Sequence, residues 1–362
     1  MIGISIESVP TLTAAGCPSA SALPPGRNPV HSKKGAALNA STVKIAVLDD
    51  YQDAAARYAD WAGLPQAEVT IYRDHLADPC ALAKRLRPFD VVCLMRERTR
   101  LDATMLARLP NLKLIVTTAM RNAALDVAEA RRRGIIVCGT GAPQNGTPEL
   151  IWLHILTLAR NAERERAGLR QGRWQVSVGQ DLQGATLGLV GLGRIGQQVA
   201  RVANAFGMDM LAWSPNLTQA RADACGARWA SKEDLFSRSD FVVIAMQLRD
   251  STRGLVGQAE LACMKSTAFL INTSRAGLVD EEALIGALRE DRIAGAGLDV
   301  FETEPLPPHH PVLHLPNALI TPHLGYVTHR TYRQFYQETV EDILAWLQGR
   351  PIRQLDLAYQ SQ

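Results

Sequence analysis

Gly191-Leu192-Gly193-Arg194-Ile195-Gly196 lies between the apolar run Leu187–Val190 and the helix-forming stretch Gln197–Phe206. A strand that turns at three glycines into a helix has the makings of a phosphate cradle. The first glycine permits the tight turn, the second lets backbone approach a pyrophosphate, and the third lets helix pack close to strand. The helix start then offers N–H groups and partial positive charge. Glycine spacing alone also occurs in turns that bind nothing; the strand before and the helix after carry the dinucleotide reading. A ribose-binding carboxylate belongs at the end of the next strand, about 20 residues on. The run Asp209–Trp213 ends instead at Ser214, whose neutral hydroxyl does not repel a 2′-phosphate, and Arg221 follows a few residues later. NADP is therefore expected ahead of NAD.

Three further segments fall at the C-terminal ends of later apolar runs, where ligands bind in open α/β sheets. They are Ile271-Asn-Thr273-Ser274-Arg275, Asp299-Val-Phe-Glu-Thr-Glu304-Pro305 and Thr321-Pro-His323-Leu-Gly325. Thr273, Ser274, Arg275, Asp299, His323 and Gly325 are thereby candidates to face the cofactor. Taken singly, Arg275 could be a surface ion-pair residue, Glu304 a solvated loop acid, and His323 a polar turn residue. One arginine, one carboxylate and one histidine at successive strand ends favour a shared site.

With these four motifs in this order, the sequence from about Lys44 to Leu355 resembles the D-isomer specific 2-hydroxyacid dehydrogenase family, which includes phosphoglycerate dehydrogenase and glyoxylate/hydroxypyruvate reductase. The resemblance implies that Arg275 holds the substrate's carboxylate and carbonyl, that Glu304 pairs with His323, and that His323 protonates the keto oxygen as hydride leaves a nicotinamide. Arginine's planar fork suits a carboxylate, and histidine exchanges protons near neutrality. Asp299 matches the family's acid near the nicotinamide amide, with strand-end capping as its ordinary alternative. Arg96 falls on a substrate-facing turn. The loop at Ala119-Met120-Arg121-Asn122 stands where the family carries glycines, so its amides keep a carboxylate-binding role while Met120 and Arg121 reshape the pocket. Glu304 in place of glutamine disfavours formate dehydrogenase. The motif set fits a reductase of glyoxylate, hydroxypyruvate or a related small 2-keto acid. A dinucleotide-sensing corepressor of the same fold is the alternative, because such proteins can keep the same trio.

The elements needed to position these residues are present. Short apolar runs at Val43–Leu48, Val69–Tyr72, Phe89–Met95, Leu114–Thr118 and Ile135–Cys138 alternate with helical stretches at 53–62, 80–86, 103–109 and 125–133. A long helical period over Thr147–Ala167 precedes a second alternating series, with strands at 186–190, 209–213, 241–245, 269–273, 296–300 and 318–321. Such alternation predicts βαβ units on parallel sheets. The expected fold is α/β: two doubly wound parallel-sheet domains, a nucleotide-binding Rossmann domain (147–328) inserted into a flavodoxin-like substrate domain (43–146 and 329–356). The stretch His329–Gln348 reads as a helix packing back on the first domain. Residues 1–42, rich in Ala, Ser, Pro and Gly, read as a flexible tail.

Composition excludes several other classes. At 362 residues and 47% hydrophobic, the chain has enough apolar side chain to build more than one core. Its 39 basic and 36 acidic residues leave +3, too little to indicate a nucleic-acid partner. The six cysteines form neither a C-x-x-C pair nor a framework, so a reducing, cytoplasmic setting is expected. No apolar run is long enough to span a membrane. His309, His310 and His314 sit among prolines with no helix to align them, so no metal is expected. Trp152, Leu153, Leu156 and Leu158 carry more apolar surface than a solvated helix needs, and a homodimer contact there is expected, with burial inside the subunit as the alternative.

Overall fold

The computed structural model describes residues 42–143 and 145–355, so the expected tail and the chain's last residues lie outside it. Five strands, β1 (Val43–Val47), β2 (Ala67–Ile71), β3 (Val91–Leu94), β4 (Leu114–Thr117) and β5 (Ile136–Gly139), form one parallel sheet in the order β2-β1-β3-β4-β5. This is the flavodoxin-like order. Val91–Leu94 and Leu114–Thr117 are buried throughout, as strands covered on both faces must be.

Seven strands form the second sheet: β6 (Thr186–Val190), β7 (Asp209–Trp213), β8 (Arg228–Trp229), β9 (Phe241–Ile244), β10 (Phe269–Asn272), β11 (Gly295–Leu298) and β12 (Ala318–Ile320). Their order, β12-β11-β10-β9-β6-β7-β8, is the Rossmann arrangement extended by one strand, again all parallel. The register aligns the strand ends: Val190 pairs with Ile244, Ile244 with Asn272, Asn272 with Leu298, and Leu298 with Ile320. Gly191, Thr273, Asp299 and Thr321 are therefore brought to one rim by backbone pairing alone. The order reverses between β6 and β9, and the crevice at that switch point opens beside Gly191.

Two apolar clusters cover the faces of each sheet. The helix His329–Leu347 buries Tyr332, Phe335, Tyr336 and Ile343 in the cluster that holds Ile45, Val47, Val91 and Val116, returning the chain's end to the first sheet. The helix Gly146–Ala159 buries Ile151, Trp152 and Ile155 against the second sheet.

Some expectations are corrected. The helical period over Thr147–Ala167 is two helices, Gly146–Ala159 and Ala162–Arg170. They are broken at Asn161, whose φ of +49° is one that asparagine tolerates and whose side chain donates to the Val178 carbonyl. The stretch at 53–62 is helical only over Ala55–Tyr58, because Asp50 captures the Ala54 and Ala55 N–H groups and Asp53 takes φ +52°.

Candidate active site

At the end of β6, Gly191 has φ +103°, and a Cβ there would lie 2.5 Å from the Ala245 carbonyl oxygen. A Cβ on Gly196 would lie 2.3 Å from the Gly191 carbonyl oxygen. These two glycines are required by the fold itself. Gly193 is different: a Cβ there meets nothing within 4 Å, although this residue caps the helix Arg194–Ala205. The space in front of that helix start is open, and its first N–H groups have no partner within the helix. Arg194 is exposed there and Ile195 half-buried against the core. Across the crevice the buried Thr273 hydroxyl has no hydrogen-bond partner, while Ser274 gives its hydroxyl to the Ile244 carbonyl. An open glycine at a helix start and an orphaned hydroxyl on the next rim fit a dinucleotide. Gly191 N–H donates to the Trp213 carbonyl, which places Ser214 beside the glycine turn. Arg221 reaches back to the Asn216 carbonyl of the same loop, at 3.4 Å.

The end of β12 carries the histidine. His323 Nδ1 lies 2.7 Å from Glu304 Oε2, and Glu304 Oε1 accepts the Phe301 N–H at 2.9 Å. A carboxylate only accepts, so Nδ1 carries the hydrogen and Nε2 is the nitrogen left for a substrate. His323 has φ +53°, a conformation that a non-glycine residue keeps only when its surroundings hold it there. Asp299 is one of those holds. Its Oδ1 accepts the Thr321 hydroxyl at 2.6 Å and the Leu324 N–H at 2.7 Å, and its Oδ2 accepts the Gly325 N–H at 2.9 Å. Burial pushes the Asp299 carboxyl above the usual range, against the pull of Thr321, Leu324 and the nearby His323. A second support runs behind it. Thr321 has given its hydrogen to Asp299, so the contact with His154 Nε2 at 3.0 Å requires an Nε2–H donor. Burial lowers the His154 pKa to about 4, which keeps that ring neutral.

The first sheet supplies the facing wall. Arg96 has φ +53° and Ala119 φ +69°, both just past strand ends. Arg96 N–H donates to Thr118 Oγ1 at 2.7 Å, and Ala119 N–H donates to Thr140 Oγ1 at 2.9 Å. The buried Asn122 amide bridges the Arg96 carbonyl and Thr117 Oγ1, fixing both turns together. Met120 is half-buried against the core of the first sheet, and Arg121 is exposed. Arg275 Nη1 donates to the Ser274 carbonyl at 2.7 Å, and its Nη2 reaches Glu97 Oε1 at 2.9 Å. Glu97 Oε2 lies 3.5 Å from Arg96 Nη2. The Arg96 guanidinium sits 5.8 Å from the Tyr326 ring centre, and that ring meets His323 edge-on at 5.3 Å. The chain of contacts Arg275–Glu97–Arg96–Tyr326–His323–Glu304 thus joins both sheets across one crevice.

Residues 152–325 match the model of the D-isomer specific 2-hydroxyacid dehydrogenase NAD binding domain. Glyoxylate reductase of Aeropyrum pernix is 38% identical over 261 residues, 69% of this chain and 78% of that enzyme. The chain belongs to the D-isomer specific 2-hydroxyacid dehydrogenase family. A D-3-phosphoglycerate dehydrogenase of Methanocaldococcus jannaschii is 33% identical over 85% of this chain but only 58% of its own length. The crystal structure of a phosphoglycerate oxidoreductase from Vibrio cholerae superimposes with a TM-score of 0.81 at 36% identity, over 85% of this chain and 99% of that one. Like other 2-hydroxyacid dehydrogenases, the chain is an oxidoreductase acting on the CH–OH group of small 2-hydroxy acids with a nicotinamide dinucleotide.

For this dehydrogenase the structure brings Arg96, Arg275, Glu304 and His323 into one crevice, with Ala119 and Asn122 shaping its floor. Glu97 and Tyr326 went unrecognised in the sequence. Glu97 sits in a polar run that looks like any solvated turn, and its partner Arg275 is 178 residues away. Tyr326 OH is buried without a hydrogen-bond partner, and burial pushes its pKa up to about 12. Its position three residues after His323 was the only available signal. His310 Nδ1 accepts the Val312 N–H, and its Nε2 lies 3.5 Å from Glu281.

Proposed function

We propose that this enzyme reduces glyoxylate, hydroxypyruvate or a related small 2-keto acid with NADPH or NADH, using His323 as the acid and base. The observation that carries the reading is the 2.7 Å His323–Glu304 pair, held on a turn in line with the strand ends that bear Arg275 and the glycine cradle. Gly191, Gly193, Arg194, Ile195 and Gly196 would hold the pyrophosphate, Ser214 the ribose, and Thr273, Ser274, Asp299 and Gly325 the nicotinamide end. When bound, the nicotinamide supplies hydride to the keto carbon. The chain's own residues do the rest. Arg275 orients the substrate carboxylate, with the turns at Arg96 and at Ala119-Met120 closing the other side. His323 gives its Nε2 proton to the oxygen that becomes the hydroxyl, and Glu304 holds the ring and balances its charge. In this reading residues 43–146 with 329–356 form the substrate domain and 147–328 the nucleotide domain, and the enzyme is cytoplasmic.

Ser214 in place of an acid supports NADP ahead of NAD. A homodimer is supported by apolar side chains left in solvent on and just after the helices at 146–170: Leu153, Leu156, Leu169, Trp174 and Val178. Initial rates on a panel of 2-keto acids with each cofactor test the function. Turnover of a small 2-keto acid supports it; dinucleotide binding without turnover of any would replace it with a sensing role. If NADH is preferred tenfold or more, about 1.4 kcal/mol, the cofactor reading fails. Ser214→Asp should move the preference toward NADH.

A further inference from the structure

We propose that Glu97 sets the charge class of the substrate, admitting 2-keto acids with a single carboxylate and rejecting those with a second anionic group, whether phosphate or carboxylate. The inference rests on the reductase reading and narrows it. Glu97 projects from the first sheet's side of the crevice to the arginine on the other side. Its Oε1 takes Arg275 Nη2 at 2.9 Å, while Oε2 is buried, makes no hydrogen bond, and faces Arg96 Nη2 at 3.5 Å. Burial alone would raise its carboxyl, but the Arg96 and Arg275 charges outweigh burial and hold it below the usual range. A permanent negative charge therefore stands beside the arginine that would receive the substrate.

The surrounding cations leave room for one more anion. Arg98, the next cation on the turn, is committed elsewhere. Its Nη1 donates to the Asp49 carbonyl at 2.6 Å, its Nη2 meets Tyr332 OH at 3.4 Å, and its guanidinium lies 4.3 Å over the Tyr51 ring. The Asp49 carboxylate lies in the same corner, taking the Thr99 hydroxyl at 2.6 Å and His75 Nδ1 at 2.9 Å, and Glu97 is shared between Arg275 at 2.9 Å and Arg96 at 3.5 Å. His323 has Glu304. Arg275 and Arg96 thus share one carboxylate, which leaves the cluster one net positive charge for one substrate carboxylate. A second anion beyond the keto carbon would enter a crevice of low dielectric beside Glu97, where like charges repel strongly.

The test compares kcat/KM for hydroxypyruvate with that for its 3-phosphate ester and for oxaloacetate, in the wild type, Glu97→Gln and Glu97→Ser. The wild type should prefer hydroxypyruvate to either dianion by roughly a hundredfold. Either variant should cut that ratio at least tenfold, about 1.4 kcal/mol, chiefly through the KM of the dianion. A wild-type ratio near one overturns the proposal without reference to any variant. So does a ratio that stays within threefold of wild type in a variant that still reduces hydroxypyruvate. If the wild type reduces none of the three with either cofactor, the reductase reading fails, and that result is distinct from a failure of Glu97 to discriminate.

Discussion

Asp299→Asn should both weaken the fold and slow turnover, because three donors converge on the carboxylate and an amide has only one acceptor oxygen. In the better orientation the amide oxygen keeps the Thr321 hydroxyl and the Leu324 N–H, and the new NH2 is turned against the Gly325 N–H. One hydrogen bond to a charged acceptor is then lost, about 1.5–3 kcal/mol, and the two survivors lose their charge assistance. Relief of a buried charge offsets part of this, since burial already raises the Asp299 carboxyl. The net loss should be about 2–4 kcal/mol, or roughly 3–6 °C in Tm for a protein of this size. The same bonds hold the turn that keeps His323 at φ +53°. Once they loosen, the ring leaves its productive position, and kcat should fall at least tenfold. Differential scanning calorimetry and steady-state rates measure the two effects. A Tm within 2 °C of wild type together with a kcat within threefold would show that Asp299 does not hold this turn.

The glycines of the cradle should separate by role: Gly193→Ala should leave Tm unchanged while weakening dinucleotide binding tenfold or more by calorimetric titration. Gly191→Ala, with its φ of +103° and a carbonyl 2.5 Å from the new methyl, should lower Tm by several degrees. Burial pushes Asp342 up to about 7 despite the Arg353 guanidinium 3.0 Å away. The folded state therefore holds that proton more tightly than the unfolded chain, and the stability it confers, present at pH 4, is lost as pH rises through about 7. The unfolding free energy from denaturant titration should fall between about pH 4 and 7, by an amount on the order of a few kcal/mol, and Asp342→Asn should flatten that fall. Light scattering at micromolar concentration should give twice the 39.4 kDa chain mass; the monomer mass would reject the dimer.

Much of the frame was legible because parallel strands write continuous apolar runs into the sequence. Val91–Leu94, Leu114–Thr117 and Phe241–Ile244 are buried at every position, and each was read within a residue or two of its ends. The strand-end rule then carried Arg275, Asp299 and His323 to one rim without knowledge of any contact. What stayed hidden depends on long-range geometry or on backbone conformation. Asp49, Arg96, Ala119 and His323 all take positive φ at strand ends around the crevice, yet none is a glycine, so composition gave no sign of the turns. The Glu97–Arg275 pair crosses between sheets, and a Glu-Arg run looks the same whether solvated or buried. The three bonds by which Asp299 holds the His323 turn come from residues 22 to 26 positions away, which spacing along the chain does not show. The two-residue strand β8 is too short to show any period, and Asn161 breaks a helix that hydropathy alone would continue.

Comparing the wild type with His323→Ala for reduction of glyoxylate and hydroxypyruvate, with dinucleotide affinity measured on the same preparations, tests the central claim most directly. General acid catalysis is typically worth about 10² to 10⁴-fold. Turnover should fall by that factor while dinucleotide affinity stays within a few-fold, because the glycine cradle at the end of β6 is left untouched. A variant that turns over within a few-fold of wild type would show that the proton comes from another group, and the His323–Glu304 pair would lose its place at the centre of the mechanism.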